Sequence, residues 1–373
     1  MNFSLDRRSV TLLVQEALIA ALSFAVNLAI ARLAGVDSRG LVAVATTFEP
    51  LLTGITADPL AMVVLTHTND LSIEQLFVAA MDVALLGAIV CILVILVLYQ
   101  GDLLRGLTIT SLLFVPFGSW LSLQIASMQR RGEYVRANAI RIWQQVLTVV
   151  GVLVAGLLWH GTAAVVATTS AYWAVLVVLA VVVPRPDFRR RGRGWQGLHL
   201  WRESVVSFGL IDNIQPLVYR TLVFKAGGAY ALGLTMVTLS FTRPGTVIGQ
   251  ALAPVAARGE FRRSLWRTLI PMLIAAAVAV LVVEPLALRW VGAGVGFGWP
   301  LGLVTAGAGT ASAVASIVSA RSARLRGYRR ASVGKVGGLA LQSAAVFLMA
   351  GLGAVGWIGA WGLMPLFVTA ATV

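Results

Sequence analysis

Apolar residues in this chain come in long blocks and do not alternate with polar ones. Val83–Leu98, Val146–Trp159, Ala163–Pro184 and Leu269–Val283 contain no charged side chain. A helix rises about 1.5 Å per residue, so roughly 20 apolar residues cross a hydrocarbon core about 30 Å thick. A membrane strand crosses in about 10 residues of alternating polarity, and that pattern is missing. The blocks predict an all-α polytopic membrane protein with about twelve spans: 10–33, 40–66, 76–99, 106–128, 138–160, 163–184, 204–225, 232–257, 265–288, 296–320, 331–350 and 353–373.

Composition agrees: 58% of the 373 residues are hydrophobic, 12% are charged, and the mean hydropathy is +0.88. A soluble domain of this size needs more charge to cover its surface. The net charge of +14 would suit nucleic acid, but the basic residues lie in short loops and form no soluble face. Such clusters beside a membrane meet anionic lipid headgroups. Their distribution also sets an orientation. Twenty arginines fall in every second loop or at the N-terminus (Arg7 and Arg8, then the groups beginning at Arg130, Arg185, Arg258 and Arg321). The alternate loops hold five cations: Arg32, Arg39, Arg105, Lys225 and Arg289. Basic loops stay cytoplasmic, so both termini are expected there, in a cell inner (plasma) membrane. Met1–Arg8 leads into a span too long for a cleaved signal peptide, which predicts a retained first helix. The one cysteine, Cys91, lies within a span and excludes an intrachain disulfide.

The basic stretch 185–203 divides the chain into an N-terminal six-helix bundle (1–184) and a C-terminal one (204–373), and leaves no segment for a separate soluble domain. The halves repeat. At a shift of 193 positions Arg32 meets Lys225, Gly40 meets Gly233, Leu41 meets Leu234, Val44 meets Val237, Phe48 meets Phe241 and Thr53 meets Thr246. At a shift of 195, Arg131-Gly132 meets Arg326-Gly327. Six spans is an even number, so the two repeats run parallel, about an axis along the membrane normal. Pro50 and Pro59 in span 2 correspond to Pro244 and Pro254 in span 8. Proline removes a backbone hydrogen bond and kinks a helix, and interrupted spans at matching places point to a substrate pathway with these prolines as hinges.

An ionised group in mid-bilayer costs about 2.5–3.5 kcal/mol on insertion scales and therefore faces a cavity or a partner. Arg243 is eleven residues into span 8, immediately before Pro244. Arg220, Asp212, Asn213 and Gln215 lie in span 7, Gln250 in span 8, and Glu49 and Asp58 in span 2. The cations, the amides and Asp212 are candidate substrate-binding residues; Glu49 and Asp58 are candidates for coupling to H⁺ or Na⁺. The plainer reading makes the acids packing partners of Arg220 or Arg243. Glu16, Asp82 and Glu284 lie nearer span ends and are read as structural. His67, His160 and His199 are too dispersed for a metal site, and no pairing argues for acid–base or nucleophilic catalysis, so neither an enzyme nor a cofactor is expected. The small-residue stripe Ala306–Ser319 is read as close helix packing.

The stretch Asn27–Ala45 resembles the span 1–2 junction of polysaccharide (O-antigen type) flippases, of the multidrug/oligosaccharidyl-lipid/polysaccharide exporter superfamily. Val223–Val237, with Gly227-Gly228 and Leu232-Gly233-Leu234, resembles the span 7–8 junction, and Gln129–Tyr134 is similar to the basic turn before span 5. The resemblance implies a V-shaped, MATE-like pair of six-helix bundles working by alternating access on lipid-linked oligosaccharides that carry a pyrophosphate. It also implies association with polysaccharide-biosynthesis enzymes. Arg243 falls on a span where cavity arginines occur in related lipid II flippases. The chain departs from them in having no deep arginine in spans 1 and 2 and no further spans after Val373. The expected function is flipping of a lipid-linked oligosaccharide. Its rivals are an ion-coupled multidrug antiporter, a membrane-embedded glycosyltransferase or polymerase, and a non-transporting envelope assembly protein.

Overall fold

The computed structural model describes residues 7–66, 72–184, 210–249, 263–292, 299–326 and 328–372, with a few positions between 198 and 205. In chain order the helices are α1 (Arg7–Leu33), α2 (Val36–Ala45), α3 (Phe48–Thr66), α4 (Ile73–Leu98), α5 (Asp102–Ser111), α6 (Val115–Arg130), α7 (Tyr134–Leu158) and α8 (Gly161–Val182). They continue as α9 (Leu210–Ser240), α10 (Arg263–Trp290), α11 (Trp299–Arg326), α12 (Tyr328–Leu348) and α13 (Gly353–Thr372). A further helical segment covers 243–249.

Among the described residues, ten helical stretches are long and apolar enough to cross a membrane, with Gly334–Leu348 a shorter apolar helix. The protein is a polytopic helical membrane protein. The twelve expected spans exceed these ten at two places: spans 7 and 8 form one stretch, and span 11 is the shorter helix Gly334–Leu348. Spans 7 and 8 follow each other without a loop, through a kink at Gly228, whose φ of 75° and ψ of −167° no other residue type adopts freely. Span 2 begins earlier than expected. Gly35, at φ +97°, makes the turn, and α2 starts at Val36, which brings Arg39 inside the helix.

The outer faces explain the composition. On α4, Leu85, Leu86, Ile89, Val90, Leu93 and Val97 are exposed, while Leu76, Phe77, Ala80, Ala84 and Ile95 face inward. Lipid tails are as apolar as leucine, so the outer face needs no cover, and helices hold together by close packing and hydrogen bonds. Ser72 and Gln75 form a capping box that satisfies the free N–H groups at the start of α4. At its other end Arg105 Nε donates to Tyr99 O at 2.6 Å and Nη2 to Leu96 O at 3.2 Å. In the turn between α6 and α7 the exposed Glu133 pairs with Arg131 at 2.8 Å and Arg136 at 3.4 Å. The hydrogen bond from Arg131 holds its carboxyl below the usual range.

Packing divides the chain into two compact units, one of Met1–Gly40 with Leu222–Val373 and the other of Leu41–Thr221. The first therefore takes in α1, and the second the beginning of α9. Repeats of sequence and units of packing are different partitions, and the division at 185–203 is a proposal about the repeats. The core of the Leu41–Thr221 unit joins α3, α4, α6 and α8 through Leu60, Phe77, Trp120, Leu123 and Leu176. Trp120 meets Phe77 edge-on at 5.2 Å and donates from Nε1 to Pro184 O at 3.0 Å. In the other unit Ile248, Leu269, Leu273, Ala313 and Ile317 form a smaller core. The stripe on α11 is a close-packing surface: a side chain at Gly245 would collide with the backbone of Gly309, and one at Gly249 would stand 2.7 Å from Ala313 Cα.

Candidate functional site

Both proline-containing spans break within two residues of where the repeat aligns them. Span 2 leaves helical form at Thr46–Thr47, and span 8 does so at Phe241–Thr242. Pro50 lies in the first turn after the first break and Pro244 in the first turn after the second, where the missing N–H is one that no helical carbonyl needs. Pro59 is inside α3. The prolines at 50 and 244 thus follow interruptions and do not bend continuous helices; Pro254 lies outside the described residues.

In the Leu41–Thr221 unit, polar side chains gather on α3 and the break before it. Glu49, 3% exposed, accepts from Thr53 Oγ1 at 3.0 Å and lies against Gly118 of α6, where any side chain would strike its carboxylate. Asp58 accepts from Ser122 Oγ of α6 at 2.6 Å. Among the described residues neither acid is in an ion pair. Asn213 Nδ2 donates to Gly54 O at 2.9 Å, and Gln215 is buried. Arg220 Nη1 donates to Thr47 Oγ1 at 3.0 Å and to Ala43 O at 3.4 Å. Its guanidinium therefore lies at the C-terminal end of α2, where carbonyls lack helical partners and the helix dipole is negative. The side chain of Asp212 lies outside the described residues.

The other unit carries the counterpart of this bond. Asn27 Nδ2 of α1 donates to Ser240 Oγ at 2.7 Å, at the end of α9. Asn27 and Arg220 are 193 positions apart, as are Thr47 and Ser240. Each hydroxyl in turn donates four residues back, Thr47 to Ala43 O and Ser240 to Met236 O, another pair at the same spacing. Arg39 Nε donates to Asn27 Oδ1 at 2.8 Å, and Arg39 is 8% exposed. Arg39, expected in the loop between spans 1 and 2, thus lies in the first turn of α2 among packed side chains. The earlier start of α2 draws Arg39 from the loop into the packed interior, where it reaches Asn27, twelve residues back across the turn at Gly35.

Arg243 belongs to the unit with Asn27. It begins the helical segment after the second break, is exposed, and makes no hydrogen bond or ion pair among the described residues. Gln250 lies outside the described residues. The sequence-predicted candidates therefore fall into two groups, Glu49, Asp58, Asn213, Gln215 and Arg220 in one unit and Arg243 in the other. No group of three or more His, Cys, Asp or Glu among the described residues could hold a metal ion.

No protein-family model matches the sequence, and no curated protein matches it. Solved structures do. The lipid II flippase MurJ in an inward closed conformation superposes with a TM-score of 0.71 at 10% identity, over 97% of this chain and 86% of that one. An inward-facing multidrug resistance MATE family transporter of the MOP superfamily gives 0.57 at 13% identity, over 96% and 92%. A MOP superfamily transporter from Pyrococcus furiosus gives 0.54 at 12%, over 98% and 92%. At such identities the likeness is one of fold, and the fold of this chain is the one shared by that lipid II flippase and those two transporters of the MOP superfamily.

Proposed function

We propose that this chain flips a lipid-linked oligosaccharide, a polysaccharide precursor with an anionic headgroup, by alternating access across a plasma membrane, with both termini cytoplasmic. The observation that carries the reading is Arg243. It is a cation within an interrupted span, paired with no carboxylate among the described residues, and can make charge-assisted hydrogen bonds to a phosphate. The fold likeness to a protein named as a lipid II flippase supports the same substrate class. Arg220 and Arg39 act differently from Arg243: each is engaged with the chain's own polar groups, which suits positioning of the broken spans. The breaks at Thr46–Thr47 and Phe241–Thr242 are the places where the two repeats bend. Polysaccharide-biosynthesis enzymes are the partners that this reading implies.

A second reading, an ion-coupled multidrug antiporter, is favoured by Glu49 and Asp58, two carboxyls in one broken span that are bonded to hydroxyls and, among the described residues, to no cation. Reconstitution in vesicles separates the two. Arg243→Ala should abolish flipping of a fluorescent polyprenyl-pyrophosphate oligosaccharide, with the folded protein retained, and Arg243→Lys should keep part of it. Undiminished flipping by Arg243→Ala refutes the assignment. Export of cationic drugs that survives Arg243→Ala and is lost in Glu49→Gln or Asp58→Asn favours the antiporter.

A further inference from the structure

Glu284 was read from the sequence as a structural residue near a span end, and none of the proposed substrate or coupling roles uses it. It lies six residues before the end of α10, about 9 Å along the helix axis. It is 1% exposed and packed against α11. Its Oε1 is 3.1 Å from Thr305 Oγ1 of α11, and its Oε2 has no hydrogen-bond partner among the described residues.

The hydrogen count at Thr305 makes this carboxyl unlike the other two. The Thr305 hydroxyl is also 2.9 Å from Leu301 O, four residues back on its own helix. It carries one proton and can donate to one of these acceptors. Threonines elsewhere in the chain spend that proton on the same backbone position: Thr56 on Leu52 O, Thr108 on Leu104 O and Thr169 on Val165 O, each at 2.6–2.7 Å. With the Thr305 proton on Leu301 O, its contact with Glu284 is a hydrogen bond only if the carboxyl supplies the proton. At Glu49 and Asp58 no such competition exists, because the Thr53 and Ser122 hydroxyls donate to the acids alone. An ionised Glu284 would have at most one shared donor, a bare oxygen and no cation. A protonated one donates to Thr305 and leaves only a neutral carbonyl oxygen without a partner, which costs far less in an apolar setting.

Among the described residues Glu284 is in no ion pair, and the cation that α1 brings to α10, Arg32, lies over the ring of Trp290 at the helix end, 5.7 Å from its centroid. The remaining ionisable groups on α10 are Arg263, Arg267 and Arg289, and those on α11 are Arg321, Arg324 and Arg326. Arg289 is exposed, a turn and a half along the helix, and Arg321 begins sixteen residues, about 24 Å, beyond Thr305.

We infer that Glu284 and Thr305 form a proton-binding site, closed by the packing of α10 against α11 and separate from the acids of span 2. The proton is held while the two helices stay together, and its release requires water to reach the carboxyl between them. The inference stands whether or not the chain is a flippase.

The test is infrared spectroscopy on the purified full chain in lipid nanodiscs at neutral pH. The wild-type spectrum minus that of Glu284→Gln should show the carbonyl band of a protonated carboxylic acid. Carboxylate bands in its place overturn the inference. Thr305→Val removes the acceptor and should shift that band to higher frequency; an unmoved band overturns the part given to Thr305. The Gln amide fills the same volume and can donate to Thr305, so the variant should unfold within a few degrees of the wild type. If it does not fold, the wild-type band and its response to Thr305→Val carry the test alone. Sodium chloride should leave the band intact, and loss of the band on adding sodium makes this a metal-cation site and overturns the proton assignment.

Discussion

Gly40 and Gly233 stand backbone to backbone. A side chain built on Gly40 collides with Ala229 O and approaches Gly233 N to 3.0 Å; one built on Gly233 collides with Val36 O and approaches Gly40 N to 3.0 Å. Val36 and Ala229 are 193 positions apart, as are the two glycines themselves. Each residue thus meets the counterpart of what meets it, which is the mark of a two-fold axis through the contact. With Asn27–Ser240 and Arg220–Thr47, the contact turns a faint repeat of sequence into a repeat of geometry.

The crossing has no room for a methyl group. Gly40→Ala and Gly233→Ala are each expected to destabilise the protein by about 3 kcal/mol or more, because backbone and not a flexible side chain must move. The two variants together should cost less than the sum of their separate effects, since once the helices have parted the second methyl meets less resistance. Thermal unfolding in detergent checks this, and additive losses would separate the glycines.

Arg220 satisfies the broken end of α2. Arg220→Ala leaves the end carbonyl and hydroxyl with fewer partners in an apolar setting, a loss of about 1–3 kcal/mol. Asn27→Ala removes the bond to Ser240 at the matching place and also the acceptor of the buried Arg39, and should cost at least as much. In a double-mutant cycle Arg220 should couple to Thr47 and not to Ser240; equal coupling to both contradicts the pairing described here.

Gly118 gives Glu49 its place. Gly118→Ala pushes a methyl against the Glu49 carboxylate and Thr53 Oγ1, the latter 2.9 Å away. The expected cost is about 1–3 kcal/mol. Glu49→Ala should recover most of it by clearing the space, whereas Glu49→Gln, of equal size, should not. Comparing unfolding midpoints of the three variants decides the matter.

Arg105 closes the C-terminal end of α4 through Tyr99 O and Leu96 O. Arg105→Ala is expected to cost about 0.5–1.5 kcal/mol and to speed amide exchange in the last turn of α4. Exchange that is unchanged there would make the contact incidental.

Much of the architecture was legible because a bilayer imposes coarse rules. Span length follows from membrane thickness, so the apolar blocks located most helices within a few residues. The repeat could be read because Gly40 and Gly233 have no tolerated substitute where two backbones touch. Junctions were harder. Helix starts depend on single dihedrals such as that at Gly35, and a four-residue error there moved Arg39 from a loop to the interior. The loop expected between spans 7 and 8 is a kink at Gly228 for the same reason.

The sequence by itself determined that this chain is helical, lies in a membrane and is built from two related halves, because hydrophobic length and repetition act along one dimension. Tertiary structure alone decided what each polar group faces. It gave Arg220 to the end of α2, Asn27 to Ser240, Asp58 to Ser122 and Glu284 to Thr305, while pairing Arg243 with none of the described residues. Such pairings join residues up to 213 positions apart. The energy of a buried charge depends on the few atoms within about 4 Å of it, and no linear pattern records those.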